Sequence, residues 1–149
     1  MAVILIVAHA PLASALAATA RHVYPEKAAG VIVLDVSADD GIDAVEAALR
    51  QVLAPHAGQE ILVLTDVFGA TPCNAGLRVA DGVRVRLVAG INVPMLWRAL
   101  CYADEPLDRL VARAVEGATL GVLQLSTPRR QNQPSPLSCH DQVDPHHHQ

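Results

Sequence analysis

The sequence predicts an α/β domain with a doubly wound, mostly parallel sheet. Three observations lead there. Short apolar runs recur along the chain, each is followed by a stretch with helical spacing, and most of the runs are apolar throughout rather than alternating. A strand that alternates polar and apolar residues wets one face. A continuous run is buried on both faces, as in a parallel sheet covered by helices. The chain has 149 residues, 52% of them hydrophobic and 17% charged, enough for one domain with a substantial core. Aromatic residues are only 3%, so Val, Leu, Ile and Ala must fill that core.

The elements follow in order. Residues 2–8 read as the first strand, and 11–23 as a helix whose apolar face carries Leu12, Leu16 and several alanines. Residues 31–34 form the second strand. Residues 42–54 form an amphipathic helix, with Ile42, Val45, Leu49, Val52 and Leu53 near helical spacing. Residues 61–65 are the third strand and 71–79 a helix. In 83–88, Arg84 and Arg86 alternate with apolar residues, so this fourth strand belongs at a sheet edge with one wetter face. Residues 93–101 and 107–115 are helical, and 120–125 is a last short strand.

The composition changes at Pro128. Residues 128–149 hold four prolines, four glutamines and four histidines but only two aliphatics, Leu137 and Val143. Such a segment buries too little apolar surface to offset its ordering entropy, so 1–127 is expected to be the folded domain and 128–149 a disordered tail. The net charge is −4 with no basic stripe, which argues against nucleic acid as a partner. The first apolar run lacks a basic leader and is only about seven residues long, unlike a signal peptide. No stretch approaches the roughly 20 apolar residues of a membrane span. Cys73, Cys101 and Cys139 show no paired spacing, which points to free thiols and a cytoplasmic setting.

Two of the apolar runs end in chemistry. The first, Val3-Ile4-Leu5-Ile6-Val7-Ala8, stops at His9; the third, Ile61-Leu62-Val63-Leu64-Thr65, stops at Asp66. In open α/β sheets the carboxyl edge of the strands is where ligands bind. Pro11 and Thr71-Pro72 mark helix starts at that edge, since proline suits the first helical position and threonine the N-cap. Helix N-termini offer unpaired N–H groups and partial positive charge, so two of them together make an anion site. Gly69 and Ala70 would let the loop backbone approach a phosphoryl group, and the Thr71 hydroxyl could donate to it. Free imidazole titrates near about 6.5 and is nucleophilic at neutral pH. A carboxylate on one ring nitrogen fixes the tautomer and frees the other nitrogen to attack. His9 is therefore the candidate nucleophile and Asp66 its orienting partner.

Other residues carry blander readings. His22 and His56 lie at helix ends and are expected in solvent, and Asp39-Asp40 and Asp104-Glu105 are loop acids. Cys73 lies beside the candidate site without a catalytic part. Cys139-His140 and His146-His147-His148 lack a closed four-ligand spacing, so no metal and no cofactor is expected.

Three segments carry a family resemblance: Ile6-Val7-Ala8-His9-Ala10, then Leu64-Thr65-Asp66-Val67-Phe68-Gly69-Ala70-Thr71-Pro72-Cys73-Asn74, then Ala89-Gly90-Ile91-Asn92-Val93-Pro94-Met95-Leu96. Residues 1–125 resemble the IIA component of the mannose-type sugar phosphotransferase system. The resemblance implies that His9 accepts phosphate from the histidine phosphocarrier protein HPr and donates it to a IIB component. It implies that Asp66 orients the histidine and that Thr71 stands near the phosphate. It also implies a sheet of order 2-1-3-4, with a last strand exchanged between subunits of a homodimer. Ala10-Pro11 stand where the family commonly has a glycine, which bears on the partner surface. No IIB sequence follows in this chain, so a IIB partner would be a separate protein.

Two alternatives remain. A receiver-like domain phosphorylated on Asp66 would need an acidic pair after the first strand, where this chain has Ala8-His9-Ala10. A non-transport regulatory or dimerisation module of the same fold would not require His9 to be phosphorylated.

Overall fold

The computed structural model describes residues 1–127. The strands are β1 (Val3–His9), β2 (Ile32–Val36), β3 (Ile61–Thr65) and β4 (Val85–Ala89). The helices are α1 (Leu12–Val23), α2 (Pro25–Ala28), α3 (Ile42–Leu53), α4 (Thr71–Val79), α5 (Val93–Cys101) and α6 (Leu107–Leu120), with a 3-10 turn at Ala54–His56. The four strands form one parallel sheet in the order β2-β1-β3-β4. The register runs from Leu5 opposite Ile32 to His9 opposite Val36, and from Val3 opposite Ile61 to Val7 opposite Thr65.

Side-chain alternation along the strands splits the core into two layers. Ile4, Ile6, Ala8, Leu62 and Leu64 face α1, α5 and α6, meeting Leu16, Ala17, Met95, Leu96 and Leu110. Leu5, Val7 and Val63 face α3 and α4, meeting Val45, Leu49 and Ala75. Leu5, Ile6, Val7, Val63 and Leu64 are wholly buried. Each such side chain contributes about 1.5–3 kcal/mol by leaving water. Small residues on α1, Ala13, Ala17 and Ala20, let that helix lie close to the sheet without aromatic filling.

β1 has β2 on one side and β3 on the other, so the chain reverses its winding direction between β1 and β3. A crevice opens at the carboxyl ends of two such strands because their following helices go to opposite faces. His9 ends β1 there, and Asp66 follows β3.

Four element expectations are corrected. The second strand runs on to Val36, because the Asp35 carboxylate inside it is satisfied by Ser14 rather than left facing the core. The fourth strand starts at Val85, not Val83: the N–H groups of Val83 and Arg84 are taken by Asp81 Oδ1 at 2.8 and 2.7 Å in a turn that includes Gly82 at φ +75°. β4 is an edge strand, as its alternating arginines suggested. α6 continues to Leu120, and no strand forms at 120–125. A strand needs a neighbour to pair with, and none lies beside these residues within the single chain; Val122, Leu123 and Leu125 are 71–86% exposed. The short α2, begun by Pro25, was not expected. The Pro128 boundary, Cys139-His140 and the His146–His148 run lie outside the described residues.

Candidate active site

The site grows from the last residue of β1. His9 closes the strand, and its backbone N–H donates to Asp66 Oδ2 at 2.9 Å. Its ring Nδ1 meets the same oxygen at 2.6 Å. One carboxylate oxygen thus fixes both the main chain and the imidazole. The other oxygen, Oδ1, accepts from the Val67 N–H at 2.8 Å and lies 3.4 Å from the Thr65 hydroxyl. Thr65 is wholly buried, so the base of this network is dry. The His9 side chain is 48% exposed and that of Asp66 only 12%. The ring is held from below and open above.

The electrostatics assign the tautomer. Burial pushes the Asp66 carboxyl up. The hydrogen bonds from the His9 backbone, the His9 ring and the Val67 backbone outweigh it and hold the group below the ordinary carboxylate range. An ionised carboxylate can only accept, so Nδ1 carries a proton, and in the neutral ring Nε2 then holds the free lone pair.

The two helix starts at this edge are not equivalent. α1 begins at Leu12, one position later than expected, with Pro11 as its cap residue rather than its first helical residue. One N–H of its first turn is taken: Asp35 accepts from the Ser14 N–H at 3.1 Å and from the Ser14 hydroxyl. α1 is therefore the less open of the two helix ends. α4 does have an open end. Ala70 is its N-cap and makes no side-chain cap bond, and proline stands in the first turn. Thr71 is the first helical residue, not the cap, so its hydroxyl is not spent on capping. The loop before it is pinned: Gly69 adopts φ +86°, and its carbonyl accepts from Asn74 Nδ2 at 3.0 Å. Its positive φ is the conformation glycine adopts without a Cβ penalty.

His9 and Asp66 are brought into contact as expected, and Gly69, Ala70 and Thr71 lie in the loop and helix start that follow Asp66. Cys73 is buried in α4, Cys101 is exposed, and His22 is exposed. His56 is only half exposed and meets Gln59 Oε1 at 2.8 Å. Supporting residues that the sequence reading passed over are Thr65, Asn74, Asn92 and Asp35. Asp35 had a signal: it is a carboxylate near the end of an apolar run, as Asp66 is. The third motif closes the site's flank. Gly90 N–H donates to the Asp66 carbonyl at 2.9 Å and Ile91 N–H to the Thr65 carbonyl at 3.0 Å, while Asn92 Oδ1 caps α5 by accepting from Met95 N–H at 2.9 Å.

A family model described as the fructose IIA component of the phosphotransferase system (PTS) matches residues 3–115. The chain belongs to that family. This IIA chain is 36% identical over 89 residues to the mannose-specific EIIAB component of Escherichia coli, an alignment spanning 57% of the chain but 28% of the E. coli protein. It is 36% identical over 59 residues to the fructose-specific EIIA component of Bacillus subtilis, covering 39% of the chain and 38% of that protein. The chain thus spans well under half the length of these relatives. Among solved structures, the mannose/sorbose specific IIA subunit from Enterococcus faecalis superposes with a TM-score of 0.80 at 25% identity, over 87% of this IIA chain and 98% of that one. The EIIA component from Streptococcus agalactiae superposes with a TM-score of 0.75 at 25% identity, over 83% and 97%. Among the described residues, no helix is long and apolar enough to cross a membrane.

Proposed function

We propose that this IIA chain is a cytoplasmic phosphoryl carrier that takes phosphate from phospho-HPr onto His9 and passes it to a IIB component for sugar uptake. The observation that carries the proposal is the 2.6 Å bond from His9 Nδ1 to Asp66 on a ring whose other side is open. In the forward step the Nε2 lone pair attacks the phosphorus of the donor's phosphohistidine. The Nε2–P bond forms as the donor's N–P bond breaks, and the donor nitrogen keeps that electron pair. No proton has to leave His9, because the attacking nitrogen carries none. The imidazole becomes cationic, and the ionised Asp66 beside Nδ1 stabilises it. The phosphoryl oxygens meet the N-terminus of α4, with Gly69 and Ala70 offering backbone and Thr71 its hydroxyl. Transfer to IIB repeats the same step in reverse.

The exposed Val122, Leu123 and Leu125 support a homodimer in which residues 120–125 find a partner strand on a second copy. An alternative function, a regulatory module of the same fold, would leave the phosphorylation state of His9 as its signal or leave His9 idle.

Incubation with enzyme I, HPr and labelled phosphoenolpyruvate tests the proposal. The wild type is expected to become labelled and His9→Ala to stay unlabelled while folded. Equal labelling of the two would overturn the assignment of His9, and no labelling of the wild type would favour the idle module.

A further inference from the structure

We propose that Asp35 is a positioning residue for His9: it locks the turn that follows the histidine by capping the first turn of α1. This rests on His9 being the phosphoryl acceptor only for its effect on rate; the positioning itself has a separate readout.

The placement is specific. Asp35 pairs with Ala8 across the β1–β2 ladder, one residue before His9 pairs with Val36. From there it reaches over to α1 and accepts from both the backbone N–H and the hydroxyl of Ser14. Ser14 is the third residue of α1, where a capping acceptor normally comes from the N-cap side chain. Pro11 stands at the N-cap and makes no side-chain cap bond, and no acidic residue lies in the first turn. A carboxylate from the neighbouring strand supplies what the local sequence lacks.

The turn is consequently tied to β2 at both ends. Ala10 N–H donates to the Val36 carbonyl at 2.9 Å, and Ser14 is held by Asp35. Between them Ala10, Pro11 and Leu12 are exposed. His9 leads directly into this segment. Asp66 orients the ring, but a shift of the following turn would move the His9 backbone relative to that carboxylate. The same bond has a second effect. A carboxylate on the α1 N-terminus offsets that helix's partial positive charge, while the N-cap of α4 makes no side-chain bond.

The variants Asp35→Ala, Asp35→Asn and Ser14→Ala separate positioning from general stability. All are compared well below their melting temperatures, by nitrogen-15 NMR of the His9 ring and by initial phosphorylation rates with phospho-HPr. In Asp35→Ala the His9 ring signals should shift toward a mixture of tautomers. kcat should fall by about five- to twentyfold, with KM for phospho-HPr within about twofold, because acceptor geometry rather than docking has changed. Asp35→Asn should recover the wild-type ring signals and rate to within about twofold, since asparagine caps as well as aspartate. A folded Asp35→Ala with wild-type ring signals would overturn the proposal. So would a loss confined to KM, or an Asp35→Asn no better than Asp35→Ala. Should Asp35→Ala not fold, Ser14→Ala decides: a shifted ring and a rate about two- to fivefold lower are expected, and wild-type behaviour contradicts. The NMR result stands whether or not His9 accepts phosphate, and the wild-type label alone judges the carrier assignment.

Discussion

At the scale of single residues, one oxygen of Asp66 bonds both the backbone and the ring of His9, so Asp66 sets where the imidazole is and which ring nitrogen donates. Asp66→Asn should fold but transfer phosphate about 10- to 100-fold more slowly. The amide can turn its NH2 toward the ring and favour the wrong tautomer. Loss of one charge-assisted hydrogen bond of about 1.5–3 kcal/mol, realised in the transition state, gives that factor; unchanged rates would make Asp66 a structural acid only. The same carboxyl links stability to pH. Its folded pKa lies below the unfolded value, so its contribution is full above the ordinary carboxylate pKa of about 3.9 and is lost as pH falls through the folded value. Acid titrations of unfolding should therefore slope more steeply for the wild type than for Asp66→Asn in that acidic window. His9 and Asp66 were legible because each polar residue stands where an apolar run stops, and position and chemistry coincide there. Asp35 carries the same signal after Val31-Ile32-Val33-Leu34, but that signal does not give its role: only the Ser14 bonds, made across 21 residues, show why a carboxylate sits inside that strand and what it does there.

At the scale of elements, the site's flank depends on how closely α5 and α6 pack. Gly117 makes that approach possible: a Cβ there would meet Arg98 Cγ at 2.3 Å and the Pro94 carbonyl oxygen at 3.0 Å. Gly117→Ala gains up to about 1 kcal/mol of helix propensity. Overpacking against a backbone oxygen costs about 1–3 kcal/mol, so the net effect should be destabilising, and thermal unfolding should show a lower Tm. Asn92 joins the same two helices, capping α5 through Met95 and donating to the Ala118 carbonyl at 3.2 Å. Asn92→Ala should cost about 1 kcal/mol or more in denaturant unfolding. An equal or higher stability for either variant would show that the α5–α6 contact is not limiting. These contacts also explain a boundary that sequence did not reveal. α6 buries Leu107, Leu110, Ala114 and Gly117 at helical spacing, but its last buried position is a glycine, which carries no hydropathy signal. The helix therefore seemed to end near Val115, and Leu120 seemed to open a strand.

At the scale of the whole molecule, the β2-β1-β3-β4 order puts both site strands at the centre of the sheet, so the His9–Asp66 pair rests on its most buried part. That architecture was legible from the run of apolar strands and helices; the fate of residues 120–125 was not, because an apolar run in the sequence does not show whether a strand lies beside it to pair with. Removal of residues 128–149 should leave folding, phosphorylation and the dimer unchanged. A chain ending at Ala118 should lose the dimer or become insoluble through an uncovered sheet edge. Light scattering after size exclusion distinguishes the two; a monomeric 1–127 beside a dimeric full chain would make the tail an assembly element. The central claim is that Nε2 of His9 carries the phosphoryl group while Nδ1 stays bonded to Asp66. Phosphorus–nitrogen coupling in nitrogen-15-labelled protein, recorded while enzyme I, HPr and phosphoenolpyruvate keep it phosphorylated, tests this directly. Coupling at His9 Nε2 is the predicted result. Coupling at Nδ1, or an acyl phosphate on Asp66 with His9 uncoupled, would contradict it.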